Sequence, residues 1–76
     1  MPEFYGYTFL SDGTHTGKIA FDNGEIALIW LRTQSKLSFW KRVILTDTSD
    51  FCVAEIIDHK ATFPPELVKS QVEGRF

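Results

Sequence analysis

Residues 17 to 32 of the chain are GKIAFDNGEIALIWLR, and this stretch decides which fold the sequence predicts. Its Asn23-Gly24 pair lies between two runs of residues that favour strands. Asn-Gly is the strongest short-range signal for a two-residue type I′ hairpin, because both turn residues need a positive φ. We therefore expect a strand that ends at Phe21, a turn at Asn23-Gly24 and a third strand from Glu25 to Arg32.

Turn and strand signals continue on both sides of this hairpin. Asp12-Gly13 predicts another tight turn, which joins a first strand from about Phe4 to the second strand. Residues 37–46 (LSFWKRVILT) fit helical spacing and also contain β-branched residues. We favour a strand there, and a helix over residues 36–45 remains the alternative.

The end of the chain predicts one more strand and a short helix. Residues 51–57 are expected to form the fifth strand, and a turn at Thr48-Ser49 would set Ile44 against Val53 and Arg42 against Glu55. Pro65 is suited to be the first residue of a C-terminal helix, and Gly74 is suited to follow its end. The expected fold of residues 1–76 is a single mainly β domain, a small five-stranded antiparallel meander barrel or sandwich of SH3-like or OB-like type. The alternative is an α+β fold with the helix at 36–45 packed on the sheet.

Two-residue turns fix the register of the strands, so the residues that share each face of the predicted sheet can be named. Phe4, Gly6 and Thr8 share one face with Phe21 and Trp30, and we expect this face to be the core, with Trp30 over Gly17. The opposite face carries an aromatic row with a lysine and two aliphatic residues: Tyr5, Tyr7, Phe9, Lys18, Ile29 and Leu31.

Composition limits the classes of function. The chain has a formal net charge of −2 with acidic and basic residues interspersed, which argues against binding to nucleic acid by bulk charge alone. The first residues have neither the basic nor the apolar region of a signal peptide, so none is expected there. No apolar run is long enough to span a bilayer, so no membrane partner is expected. A lone cysteine, Cys52, is typical of a reduced cytoplasmic protein. Cys52 itself is expected in the core.

No set of residues in the sequence predicts catalysis, a metal site or a cofactor. Asp58 and His59 are adjacent, and neighbours in a strand point to opposite faces, so they are not expected to form an acid–base pair. We therefore expect a non-enzymatic protein without catalytic or metal-binding residues.

The candidate binding surface is the row Tyr5, Tyr7 and Phe9 with Lys18 and Ile29 beside it. Alternate aromatics on one strand can make a platform on which bases stack, and basic residues beside it could contact phosphates. The segment from Ser38 to Arg42 is also rich in aromatic and basic residues, as protein interfaces are, which makes Trp40 and Arg42 candidates.

Two short segments of the predicted sheet resemble motifs of the cold-shock family. These are Gly6-Tyr7-Thr8-Phe9-Leu10 and, more loosely, Lys18-Ile19-Ala20-Phe21. The resemblance covers less than a quarter of the chain, and this chain lacks both the strand ahead of the first motif and the histidine of the second. The chain is therefore not assigned to that family. Membership of the family would imply an OB-like barrel that binds single-stranded nucleic acid.

We accordingly expect a protein–protein interaction module, or a small regulatory or inhibitor protein, that acts through an aromatic sheet surface and associates with another protein or with itself. The alternative is a single-stranded nucleic-acid binder with a stacking platform on an OB-like sheet.

Overall fold

The computed structural model describes residues 2–75, which form an α+β fold. Its elements follow one another in the order β1 Phe4–Phe9, β2 His15–Phe21, α1 Gly24–Ser35, β3 Arg42–Asp47, β4 Cys52–Ile57, β5 Lys60–Phe63 and α2 Pro65–Val72. The strands make one open antiparallel sheet in the order β2-β1-β3-β4-β5. A five-stranded antiparallel sheet and the C-terminal helix are thus confirmed, although only four of the five strands are ones that the sequence predicts. The expected mainly β barrel or sandwich is wrong, because the sheet is open and a helix replaces the predicted third strand.

The largest correction is that the predicted third strand is the helix α1. Asn23 does not form a hairpin turn but caps this helix, and its Oδ1 accepts a hydrogen bond of 2.9 Å from the backbone N–H of Ile26. Ala27, Leu31 and Ser35 are the buried residues of α1, at a spacing of four that places them on one side of a helix. Asn23 is a favoured N-cap as well as a favoured turn residue, and here the cap is what forms.

The hairpin of β1 and β2 has the predicted register over most of its length. Phe4 faces Phe21 and Tyr7 faces Lys18, as the Asp12-Gly13 turn predicts. The register then shifts by one residue, so that Phe9 faces His15 rather than Thr16. The shift lies at the end of the hairpin next to the loop, where a β-bulge adds one residue to one strand.

Residues 37–46 contain a strand, and the alternative helix at 36–45 is wrong. The strand β3 occupies Arg42–Asp47 and pairs with both β1 and β4. Its register with β4 differs by two residues from the prediction, since Ile44 faces Glu55 instead of Val53. Arg42 and Glu55 are therefore diagonal neighbours on one face, and they still form an ion pair.

A strand and a tight turn that the sequence did not predict complete the sheet. The strand β5 pairs with β4 through the two-residue turn Asp58-His59, whose φ angles are 51° and 69°. Positive φ at both positions is what a type I′ hairpin requires, and Asp and His adopt it more readily than most residues. His59 Nδ1 lies 2.6 Å from the carbonyl oxygen of Ser35, which connects this turn to the end of α1.

Both helices pack on the same face of the sheet, where the core lies. The buried apolar residues come from the helices and from alternate positions of the strands: Phe21, Ala27, Leu31, Val43, Leu45, Ala54, Ile56, Ala61 and Leu67. Trp30 packs in this layer as predicted, but it lies over Gly6 rather than Gly17. A Cβ atom on Gly6 would come within 2.5 Å of Trp30 Cζ3. Within residues 2–75, no element covers the opposite face of the sheet.

Candidate binding surface on the open sheet face

The sheet face opposite the helices carries most of the predicted binding residues. We call this surface the open face and define it by Tyr5, Tyr7, Phe9, Lys18 and Arg42. Alternation along β1 directs its three aromatics away from the helices, while Lys18 pairs with Tyr7 across β2 and Arg42 pairs with Phe9 across β3. The aromatics and Arg42 are partly exposed, and Lys18 is exposed. The structure therefore brings together five of the seven predicted residues.

Cations and a histidine already contact the aromatic rings of the open face. Lys18 Nζ lies 4.4 Å from the ring centroid of Tyr5, and Arg42 Cζ lies 5.1 Å from that of Phe9. His15 packs edge-on against Tyr7 and Phe9, with centroid distances of 6.0 and 5.8 Å. Each exposed cation–π contact contributes about 0.5–1 kcal/mol, so these contacts favour one arrangement of the side chains.

Arg42 belongs to a short polar chain across the sheet. Its Nε and Nη2 lie 2.7 and 2.6 Å from Oε2 of Glu55, and the Thr62 hydroxyl donates to Oε1 of Glu55 at 2.6 Å. The hydrogen bond from Thr62 and the charge and hydrogen bond of Arg42 lower the pKa of the Glu55 carboxyl. At neutral pH the charge of Arg42 is therefore balanced within the protein. Lys18 has no such partner among the ion pairs of residues 2–75.

Ile44 and Cys52 also lie on this side of the sheet. Ile44 pairs with Tyr7 and is only 8% exposed, so it forms an apolar floor between the aromatic row and β4. Cys52 is exposed, which corrects its expected place in the core, and its thiol donates a hydrogen bond to the carbonyl of Ala54. Desolvation and the nearby charge of Glu55 raise the pKa of this thiol, so it is protonated at neutral pH and is a weak nucleophile.

Ile29 and Trp40 lie away from the open face. Ile29 is on α1, not on a strand beside Tyr7, and it is 61% exposed on the helical layer. Trp40 packs against the core, and its indole N–H donates a 2.8 Å hydrogen bond to Gln34. The exposed aromatic of that segment is Phe39, whose ring contacts Trp40 edge-on.

Sequence reasoning missed His15, Glu55 and Thr62 as members of this surface. His15 reaches the aromatic row because the register shift in β1 and β2 places it opposite Phe9. The signal that could have predicted this shift is Gly17, a glycine inside β2 with a φ of 117°, since glycine within a strand often marks a bulge. Glu55 was expected opposite Arg42, so the sequence did predict its ion pair with Arg42 but not its place in the binding surface. Thr62 lies on β5, which was not predicted as a strand.

Comparisons with known proteins do not assign the chain to a family. No protein-family model, curated protein or solved structure matches it. The open sheet with two helices also differs from the barrel that the cold-shock resemblance would imply. In residues 2–75, no helix has the length and apolar character needed to cross a membrane. The same part of the chain contains no group of three or more His, Cys, Asp or Glu residues placed to hold a metal ion.

Proposed function

We propose that this protein is a small non-enzymatic binding protein that engages another protein through its open face. The observation that carries the proposal is the row Tyr5, Tyr7 and Phe9 on a sheet face that neither helix of the described residues covers. Aromatic residues that are partly exposed and held in place by neighbours are typical of the centres of protein interfaces, because little side-chain entropy is lost when a partner binds. Arg and Tyr are enriched at such centres. A regulatory or inhibitory role, exerted by covering a partner's surface, fits a chain of this size.

The contacts within the open face favour a protein partner over a nucleic acid. Bases stack on free ring faces, but Lys18 already lies over Tyr5 and Arg42 lies against Phe9. Phosphates need free cations, and Glu55 already pairs with Arg42. The net charge of −2 adds no general attraction for a polyanion.

A second copy of the chain is the partner that can be tested directly. A standard interface covers about 800 Å² on each partner, which is about one sixth of the 4913 Å² accessible surface of this protein. One sheet face and its surrounding loops are enough for an interface of that size. We place this association in the cytoplasm, because Cys52 has no other cysteine with which to form an intrachain disulfide.

The test compares a variant of the open face with a matched variant of the helical layer. Tyr7→Ala removes the central ring of the row, whereas Ile29→Ala removes exposed apolar surface from α1. Analytical ultracentrifugation at increasing concentration should show a dimer for the wild type and for Ile29→Ala, and a monomer for Tyr7→Ala. Affinity capture with the same three proteins extends the test to other partners.

Two results would contradict the proposal. One is a monomeric wild type at all concentrations together with no captured protein that is sensitive to Tyr7→Ala. The other is equal weakening of association by Tyr7→Ala and Ile29→Ala, which would show that the open face has no special role.

Single-stranded nucleic acid is the second candidate, because the aromatic row lies on β1, which has a paired strand on each side of an open sheet. Such sheets present bases with a stacking surface in RNA-recognition proteins. If this function is correct, a short fluorescently labelled oligonucleotide binds at low salt, and binding weakens with salt, with Tyr7→Ala and with Lys18→Ala. The absence of binding at low salt would exclude it.

A further inference from the structure

A cleft lies on the other side of the sheet, between the two helices. It has a volume of about 340 Å³. Its apolar walls come from four separate parts of the chain, represented by Phe4, Leu28, Leu45 and Leu67. Sites for small molecules begin at about 300 Å³ and are mostly apolar with a few polar groups. One water molecule takes up about 30 Å³ in the liquid. If each non-hydrogen atom of a ligand takes up a similar volume, this cleft accommodates on the order of ten such atoms.

Arg32 supplies a positive charge to the wall of this cleft. It lies one helical turn after Leu28 on α1, and both residues line the cleft. The Nε atom of Arg32 is buried and has no hydrogen-bond partner among residues 2–75, and Arg32 takes part in none of the ion pairs there. A buried donor without an acceptor is destabilising. The Arg32 side chain as a whole is partly exposed at the wall of the cleft, so a ligand acceptor in the cleft satisfies this donor once the side chain shifts toward it.

The other polar residues of the cleft restrict the charge of that ligand. Glu66 and Ser70 line the cleft from α2. With the Glu66 carboxylate in the lining, a ligand with two negative charges, such as a phosphate monoester, is less favoured than one with a single charge, because like charges repel. A carboxylate carries a single charge, and its two oxygens match the planar donor fork of an arginine. Ser70 offers one further hydroxyl donor.

We propose that the cleft between α1 and α2 binds a small apolar carboxylic acid as its anion. The hydrocarbon part lies among Phe4, Leu28, Leu45 and Leu67, and the carboxylate binds the guanidinium of Arg32. The cleft and the open face are on opposite sides of the sheet, so this site does not depend on the proposed protein partner.

The experiment uses octanoate as the probe, because its ten non-hydrogen atoms match the size of the cleft. Isothermal titration calorimetry of the full chain should show saturable binding of octanoate. Octanol, which keeps the chain but lacks the charge, should bind roughly tenfold to a hundredfold more weakly, as expected for the loss of a charge-assisted hydrogen bond. Backbone amide shifts in NMR spectra should change at residues of the cleft, including Ala27 and Ala54.

Three variants locate the site and separate its charge from its shape. Arg32→Gln should weaken octanoate binding by about tenfold or more and leave octanol unchanged. Ser70→Phe should fill the cleft and weaken the binding of both probes. Tyr7→Ala, on the open face, should change neither affinity, which separates this site from the proposed protein interface. Circular dichroism shows whether each variant is folded.

Several results would overturn the proposal. The first is that the wild type shows no saturable binding of octanoate. The second is that octanoate and octanol bind with equal affinity, and the third is that octanoate changes amide shifts only at residues of the open face. Unchanged octanoate binding by folded Arg32→Gln would also overturn it. If Arg32→Gln does not fold, Arg32→Lys replaces it, because lysine keeps the charge without the planar fork and should bind octanoate more weakly than the wild type does.

Discussion

Replacement of Gly6 by alanine tests how the aromatic layer packs on the sheet. Gly6 lies in β1, directly beneath the indole of Trp30. An alanine Cβ at this position would lie 2.5 and 2.7 Å from Trp30 Cζ3 and Cη2, and 3.0 Å from Phe21 Cε2. Carbon atoms in good contact are separated by about 3.5–4.0 Å, so the indole must move by roughly 1 Å or the strand must shift.

The expected loss of stability follows from two opposing effects. Overpacking of a core by one methyl group costs about 1–3 kcal/mol. Alanine is favoured over glycine inside a strand by roughly 0.5–1 kcal/mol, which offsets a part of that cost. We therefore expect Gly6→Ala to lower the free energy of unfolding by about 1–2 kcal/mol. In a domain of this size, that change lowers the melting temperature by roughly 4–16 °C, measured by circular dichroism.

A matched glycine and a double mutant test the cause of this loss. Gly24 lies at the start of α1, and an alanine Cβ there would make an ordinary 3.5 Å contact with Phe4 Cε2. Gly24→Ala should therefore leave stability unchanged or raise it by about 0.4–1 kcal/mol. In a Trp30→Phe background, the smaller ring should accommodate the methyl group, and Gly6→Ala should cost about 1 kcal/mol less than in the wild type. The same melting temperature for Gly6→Ala and the wild type would refute the reasoning, as would an equal loss in both backgrounds.

Three further predictions concern the cap, the tight turn and the acid response. Asn23→Ala should lower the free energy of unfolding by about 1 kcal/mol in urea titrations, while Asn23→Asp, which also caps, should be nearly neutral. His59→Ala should destabilise by about 1–3 kcal/mol, because it leaves the carbonyl of Ser35 without its hydrogen bond. His59→Gly loses the same hydrogen bond but adopts the positive φ without strain, so it should be more stable than His59→Ala by roughly 1 kcal/mol. The pKa of Glu55 is lowered in the folded protein, so its stabilising effect is present above about pH 4.3 and is lost as the pH falls through the folded pKa. Glu55→Gln should accordingly flatten the fall in melting temperature below that pH, and an unchanged slope would show that this carboxylate contributes nothing.

The sequence was sufficient where local signals act alone. Asp12-Gly13 predicted the β1–β2 hairpin and its register from Phe4 to Tyr7. The loop is one residue longer than the predicted two-residue turn, and the bulge in β2 offsets that residue and restores the predicted register. Pro65 predicted the start of α2, because proline fits the first turn of a helix and little else near the end of a strand. The aromatic face of β1 followed from alternation, which is a property of any strand.

The sequence failed where one signal supports two structures. Asn23 serves equally as a turn residue and as an N-cap, and the apolar run from Ile26 to Leu31 fits a buried strand as well as a helix. Two details favoured the helix. Glu25 in the first turn and Arg32 in the last turn suit the helix dipole. The predicted third strand would have been apolar on both faces, which suits an open-faced sheet poorly.

The turn at Asp58-His59 failed for a different reason. Type I′ turns are recognised in sequences by Asn-Gly or Asp-Gly pairs, and this turn has no glycine. Its conformation is supported by tertiary contacts, since the side chain of Gln71 donates to the carbonyl of His59 and accepts from the N–H of Ala61. A turn that depends on a partner in a distant helix cannot be predicted from its own two residues.

The open face and the cleft also differ in whether the sequence could predict them. Tyr5, Tyr7 and Phe9 could be predicted because one strand carries them all. The cleft could not be predicted, because it exists only when residues 24–35 form a helix instead of a third strand in the sheet. That helix faces α2 across part of the core and places Arg32 at the wall between them. In the strand interpretation Arg32 is simply the last residue before a polar connection, whereas in the helix its buried Nε needs an acceptor. Arg32 therefore suggests a ligand only when residues 24–35 are a helix, and it suggests none when they are read as a strand.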